Sequence, residues 1–153
     1  MDLPTPNVRI RSFSSGDQKI AKQIILEGLG EHFGYINPAL NPDLEDIESS
    51  YPKRGYVFLI AEREGMMVGT GALVTESGET ARIVRLSVIR NQRGLGIGRS
   101  LVEHLLELAK QRNYNRIVVE TNHDWCPAIK LYESLGFRQY AKDKESIHLH
   151  LIL

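Results

Sequence analysis

A chain of 153 residues and 17.3 kDa is about one domain long, and at that size it buries roughly 70% of the surface its unfolded form exposes, so it folds without disulfide or metal staples. Its 42% hydrophobic and 25% charged residues exclude disordered, collagen-like and disulfide-rich chains, and the even balance of 19 basic against 19 acidic residues argues against a dedicated nucleic-acid binder. Cys126 is the single cysteine, no run approaches the roughly 18 apolar residues of a membrane span, and the first twenty residues lack a hydrophobic stretch followed by a cleavage site. A cytoplasmic protein without signal peptide or membrane segment is expected, folded as one domain over residues 1–153.

Val8 to Phe13 alternates with the period of a strand, and Ser15-Gly16-Asp17 supplies a turn and cap for a helix from about Gln18 to Glu27, which Gly28 and Gly30 are expected to interrupt. Asn41-Pro42-Asp43 reads as the cap and first turn of a second helix with Leu44, Ile47 and Tyr51 on its apolar stripe. Tyr56 to Glu62 and Met67 to Val74 form a hairpin across Arg63-Glu64-Gly65-Met66, and Thr80 to Ile89 follows as a third antiparallel strand. From Leu95 to Gln111 the residues Ile97, Leu101, Leu105 and Leu108 recur on one helical face. Asn115 to Thr121 is a β-branched strand, Pro127 to Leu135 a helix capped by Gly136, and Phe137 to Ala141 with Ser146 to Leu153 a last hairpin. This order predicts an α+β fold: a mixed, mostly antiparallel sheet with helices on both faces and one parallel pair, Thr80 to Ile89 with Asn115 to Thr121, joined by a crossover helix.

Between Thr80 and Val102 lie Arg82, Arg85, Arg90, Arg93 and Arg99 and no acid, which marks an anion site. At its centre Arg93-Gly94-Leu95-Gly96-Ile97-Gly98 joins a strand to the longest helix, and glycines before a helix N-terminus let free N–H groups reach phosphate oxygens. The P-loop pattern is missed because Arg93 stands where its earlier glycine belongs, and the spacing G-x-G-x-G misses the dinucleotide fingerprint. Glu120 at the end of the next strand would mimic a ribose-binding acid, but antiparallel strands upstream and the short length argue against a dinucleotide fold.

Arg93 to Gly98 fits the signature Q/R-x-x-G-x-G/A, and Ala128 to Phe137 fits A-x-x-L-Y-x-x-x-G-F. On these motifs the chain resembles the GNAT superfamily of N-acetyltransferases, which transfer an acetyl group from acetyl-CoA to an amine. The resemblance covers Thr80 to about Tyr140 and implies a GNAT-like fold with the parallel pair spread around the CoA arm. It implies that the N–H groups of Gly94, Leu95, Gly96, Ile97 and Gly98, with Arg93 and Arg99, hold the CoA pyrophosphate. Leu86, Ser87 and Val88 then pair with the pantetheine arm as with a neighbouring strand, and an N–H near Leu86 or Ser87 stabilises the oxyanion. Tyr132 matches the tyrosine that protonates the leaving thiolate.

Two positions depart from the common pattern of the family. Arg82 stands where many relatives have Glu, which leaves Glu120 as general base, with His123 and Asp124 after it; the alternative role for Glu120 is a partner for neighbouring arginines. Trp125 stands where relatives often have an Asn that contacts the pantetheine amide, for which Asn122 substitutes unless Trp125 packs over the arm. The resemblance further implies a ternary complex with direct attack on acetyl-CoA, a small-molecule or peptide amine as acceptor, and pairing into homodimers as is frequent in the family. A non-catalytic acyl-CoA-binding module with the same fold is the alternative, and a nucleotide-dependent enzyme using the same loop a third reading.

The stretch Gln23 to Pro52 holds Glu27, Glu31, Asp43, Glu45, Asp46 and Glu48 and no Lys or Arg. It reads either as a field drawing in a cationic amine, with Phe33, Tyr35 and Tyr51 as walls, or as solvated faces and favourable helix-start charges. Cys126 beside His123 lacks a third orienting residue and reads as a small buried thiol. His148 and His150 share a strand face but are too few for a metal site, and no metal is predicted.

Overall fold

The computed structural model describes residues 7–33 and 40–153. Strands β1 (Val8–Ser12), β2 (Val57–Arg63), β3 (Met66–Ser77), β4 (Thr80–Val88), β5 (Arg116–Asn122), β6 (Arg138–Lys142) and β7 (Ser146–Ile152) form one sheet in the order β1-β2-β3-β4-β5-β7-β6. Every neighbouring pair is antiparallel except β4 and β5, which α3 (Ile97–Gln111) joins as a crossover. The remaining helices are α1 (Gln18–Phe33), α2 (Ile47–Ser50) and α4 (Cys126–Ser134). The α+β architecture expected from the sequence is the one observed. No helix among the described residues is long and apolar enough to cross a membrane.

The unbroken apolar run of β2 is explained by burial on both faces. Phe58 and Ile60 pack with Ala21, Ile25, Leu44 and Ile47 on the side of α1 and α2. Val57, Leu59 and Ala61 point the other way, into a core with Leu101, Leu105 and Ala109 of α3 and with Tyr132 and Phe137.

Three local expectations are corrected. Helix α1 runs through Gly28 and Gly30 to Phe33, because Gly28 serves as a point of close approach: a Cβ there would lie 2.8 Å from Ser87 Oγ on β4. The second helix is not one helix capped by Asn41. A 3₁₀ turn, Pro42–Glu45, is followed by the single turn of α2, where Asp46 caps by accepting the Ser49 N–H at 3.1 Å. Cys126 is exposed, not buried, and stands as the first residue of α4, ahead of Pro127.

The sheet also passes close to itself at Gly69 of β3, where an added Cβ would meet the Ser87 carbonyl oxygen at 2.9 Å and Leu101 Cδ1 at 3.2 Å. Gly69→Ala is therefore expected to lower unfolding stability by about 1–3 kcal/mol in urea melts. Gly16→Ala, at a site with no atom within 4 Å of the new methyl, is the comparison and is expected to change little.

Candidate active site

The parallel pair is short. Thr80, Ala81 and Arg82 of β4 face Arg116, Ile117 and Val118 of β5, and beyond them the strands part. β4 stays bonded to β3 on its other side, through Val84 with Ala72, Ser87 with Thr70 and Val88 with Gly69. Between Val84 and Ser87 it carries one residue more than β3, a bulge centred on Arg85, whose φ of 56° lies in the left-handed region. Such a conformation costs a non-glycine residue about 1 kcal/mol or more, and hydrogen bonds with Thr70, Asp43 and Asn41 hold it. The fully buried Thr70 donates its hydroxyl proton to the Arg85 carbonyl at 2.8 Å. The Arg85 guanidinium grips Asp43 in two hydrogen bonds of 2.6 and 3.0 Å, and Tyr51 donates its hydroxyl to the same carboxylate at 2.6 Å.

The opening between β4 and β5 is a cleft of about 460 Å³. Its walls include Leu86, Ser87 and Val88 from β4, Val119, Glu120 and Thr121 from β5, and Leu131 and Tyr132 from α4. The glycine loop closes one end with Gly94, Gly96, Ile97, Gly98 and Arg99. Gly94 and Gly96 have φ of 80° and 83°, a conformation that turns the chain into α3 and that side chains rarely adopt. The loop thus sets the start of a fifteen-residue helix, whose first N–H groups have no intrahelical acceptors, at the end of the cleft.

The buried Tyr132 packs edge-on against Phe137 and has no hydrogen-bond partner for its hydroxyl among the described residues. Burial raises its pKa well above that of an ordinary phenol, so it carries its proton at neutral pH.

A second, wider lobe of about 1020 Å³ continues the cleft on the side of α1 and α2. Tyr51, Arg54, Tyr56, Arg82 and Arg85 line it, and Glu120, Thr121 and Trp125 stand at the junction, lining both lobes. Arg82 is held by Glu76 at 2.6 Å and lies 3.7 Å from Glu120, so Glu120 is indeed an arginine partner, while its half-exposed carboxylate also faces the cleft. Arg54 differs: its guanidinium lies over the Tyr56 ring at 5.2 Å and has no carboxylate partner among the described residues.

The remaining residues singled out by the sequence take varied places. Arg93 lines the cleft, but its guanidinium donates to the Val88 carbonyl at 2.9 Å and pairs with Glu31 at 2.7 Å. Arg99 pairs with Glu103 and donates to Ser134 Oγ at 3.1 Å. Leu95 is largely exposed at the loop tip. Asn122 borders the wider lobe, with Oδ1 accepting the Asp124 N–H at 2.9 Å. His148 pairs with Asp143 at 3.1 Å, and His150 accepts from Arg116.

The acids of the N-terminal stretch are mostly engaged, Glu31 with Arg93, Asp43 with Arg85, Glu45 with Lys22 and Asp46 in capping, which favours the local reading of that charge over a free field. The Phe33 side chain and Tyr35 lie outside the described residues. Sequence reasoning missed Arg85 and Asp43 as partners; the bulge at Arg85 leaves no periodic signal.

Residues 25–137 match the model of the Acetyltransferase (GNAT) family. An N-acetylaspartate synthetase of Danio rerio is 37% identical over 113 residues, 72% of this chain and 40% of that protein. The chain spans 35–51% of the length of the curated relatives compared. A GNAT-family acetyltransferase structure from Staphylococcus aureus Mu50 superposes with a TM-score of 0.87 at 22% identity, covering 95% of this chain and 99% of that one. A putative acetyltransferase of Salmonella typhimurium, described with its cofactor acetyl-CoA, superposes with a TM-score of 0.80 at 18% identity, covering 95% and 94%.

The Arg85–Asp43 grip generates a pH prediction. Burial opposes the Asp43 charge, yet hydrogen bonds from Arg85 and Tyr51 hold its pKa below the carboxylate range; burial and the Asp43 acceptor push the Tyr51 phenol up to about 12. A depressed carboxylate pKa contributes stability that is present above the unfolded value, about 4, and is lost as pH falls through the folded value. Asp43→Asn is expected to lower stability at pH 7 by about 1–3 kcal/mol, and the gap between the two proteins should shrink below about pH 4 in melts recorded across that range.

Proposed function

Because the chain belongs to the GNAT acetyltransferase family, we propose that it transfers an acetyl group from acetyl-CoA to a primary amine by direct attack in a ternary complex. The observation that carries this reading is the parting of β4 and β5 beyond Arg82, with the glycine loop at one end of the gap and Tyr132 and Glu120 along it. The N–H groups from Gly94 to Gly98 receive the pyrophosphate, aided by the dipole of α3 and by Arg99. Arg93 takes part through its backbone while its side chain keeps Glu31. The pantetheine arm lies along Leu86, Ser87 and Val88, on the β4 edge that β5 has left.

In the reaction the amine nitrogen forms a bond to the acetyl carbonyl carbon, and an N–H of Leu86 or Ser87 supports the resulting oxyanion. Glu120 takes the amine proton. As the carbon–sulfur bond breaks, Tyr132 gives its proton to the thiolate. The fit of Tyr132 to this role rests on its burial beside the cleft and on a hydroxyl that no neighbour holds.

The acceptor we propose is an amine that also carries a carboxylate. Arg54 supports this, as a cation of the wider lobe without an acidic partner among the described residues. The relative named for N-acetylaspartate, an N-acetylated amino acid, agrees with it. The engaged acids of the N-terminal stretch supply no corresponding site for a cationic acceptor.

Thiol release from acetyl-CoA, measured against a panel of amines, tests the reading. Tyr132→Phe is expected to lower kcat by about 10²–10⁴ with acetyl-CoA affinity intact, and an unchanged kcat removes the assignment. Arg54→Ala should raise KM about tenfold for an amino carboxylate and leave KM for the corresponding amide unchanged. Tight acetyl-CoA binding without turnover of any amine would assign a non-catalytic acyl-CoA-binding role.

A further inference from the structure

Thr121, the sixth residue of β5, is 8% exposed, and its hydroxyl is the buried side-chain oxygen left without a hydrogen-bond partner among the described residues. A buried hydroxyl with no partner costs about 1–3 kcal/mol, and a valine of the same shape would avoid that cost. The backbone of Thr121 is paired across to Ile147 of β7, so its position in the sheet needs no help from the side chain. By contrast, Thr70, the other buried threonine, donates to the Arg85 carbonyl. The location of Thr121 is equally specific: it stands beyond the last paired residues of β4 and β5, and it lines both the narrow and the wide lobe. A turn about its Cα–Cβ bond, between ordinary staggered positions, exchanges the hydroxyl and methyl directions without moving the strand.

We propose that Thr121 is a binding residue for the cosubstrate, its hydroxyl donating a hydrogen bond to a carbonyl oxygen at the junction of the two lobes. This rests on the reading of the cleft as the acetyl-CoA site. Two carbonyls of one ligand share that chemistry, the thioester carbonyl and the last amide of the pantetheine arm. The ligand therefore satisfies a group that the protein itself leaves unsatisfied, and the hydroxyl contributes to binding while detracting from stability of the free protein. A residue kept for packing alone would show the opposite pattern.

Titration calorimetry of acetyl-CoA and CoA into wild type, Thr121→Val and Thr121→Ser, with thermal melts of each free protein, tests the proposal. Thr121→Val is expected to keep or raise the Tm of the free protein and to weaken acetyl-CoA about tenfold, and Thr121→Ser to restore most of the affinity. Loss confined to acetyl-CoA assigns the thioester carbonyl; equal loss for CoA assigns the pantetheine amide. Unchanged affinity in Thr121→Val overturns the proposal, as does a lowered Tm with affinity lost equally in Thr121→Ser, which marks a structural role. Failure of the wild type to bind either ligand overturns the reading of the cleft itself, and the proposal with it.

Discussion

The site depends on one constraint, that β4 and β5 start as hydrogen-bonded parallel neighbours and cannot continue as such. Three residue pairs join them, and after Arg82 the bulge at Arg85 bends β4 while it remains bonded to β3. A sheet interior that opens in this way leaves backbone donors and acceptors on an inner edge, and such groups are costly to bury without partners. A ligand with an extended amide arm answers that need with hydrogen bonds of the kind a strand supplies. On the proposed reading the opening is a slot for the middle of the ligand, and the glycine loop at its end is the place for the ligand's charge.

Side chains then hold the opening in shape and divide its two ends by charge. Arg85, from within the bulge, reaches Asp43 on the far side of the wide lobe, so the strained backbone of β4 and the 3₁₀ turn before α2 are fastened to each other. The same grip neutralises one arginine and one acid of the lobe, and Glu76 with Glu120 balances Arg82. Arg54 in the wide lobe has no carboxylate partner among the described residues, and the N-terminus of α3 stands at the other end. A close approach of α1 to β4 at Gly28 and of β3 to β4 at Gly69 fixes the layers around this arrangement.

Much of this was legible in the sequence, for physical reasons that differ from residue to residue. The stripe Ile97, Leu101, Leu105 announced α3 because a helix with one buried face must repeat at that spacing, and the same residues are buried. Gly94 and Gly96 were read correctly as loop glycines because positive φ before a helix leaves little choice of residue. Gly28 is not legible in this way, since a glycine needed for a close approach looks in one dimension like a glycine that ends a helix. The bulge at Arg85 and the pairing of residues 42 positions apart, Asp43 with Arg85, leave no mark in local pattern at all. The position of Glu120 near the end of β5 places it at the cleft, whereas nothing in the sequence marks Thr121 beside it, because an unsatisfied hydroxyl is a property of three-dimensional surroundings.

The central claim is that the cleft between β4 and β5 is built for a CoA thioester, and ligand-dependent stability tests it most directly. Melts of the protein with acetyl-CoA, CoA, NAD or ATP separate the phosphate ligands that glycine loops serve, since a ligand at a hundred times its Kd raises stability by about 2.7 kcal/mol. The account predicts stabilisation by the two CoA species and none by NAD or ATP. A clear shift with NAD or ATP and none with either CoA species would contradict it.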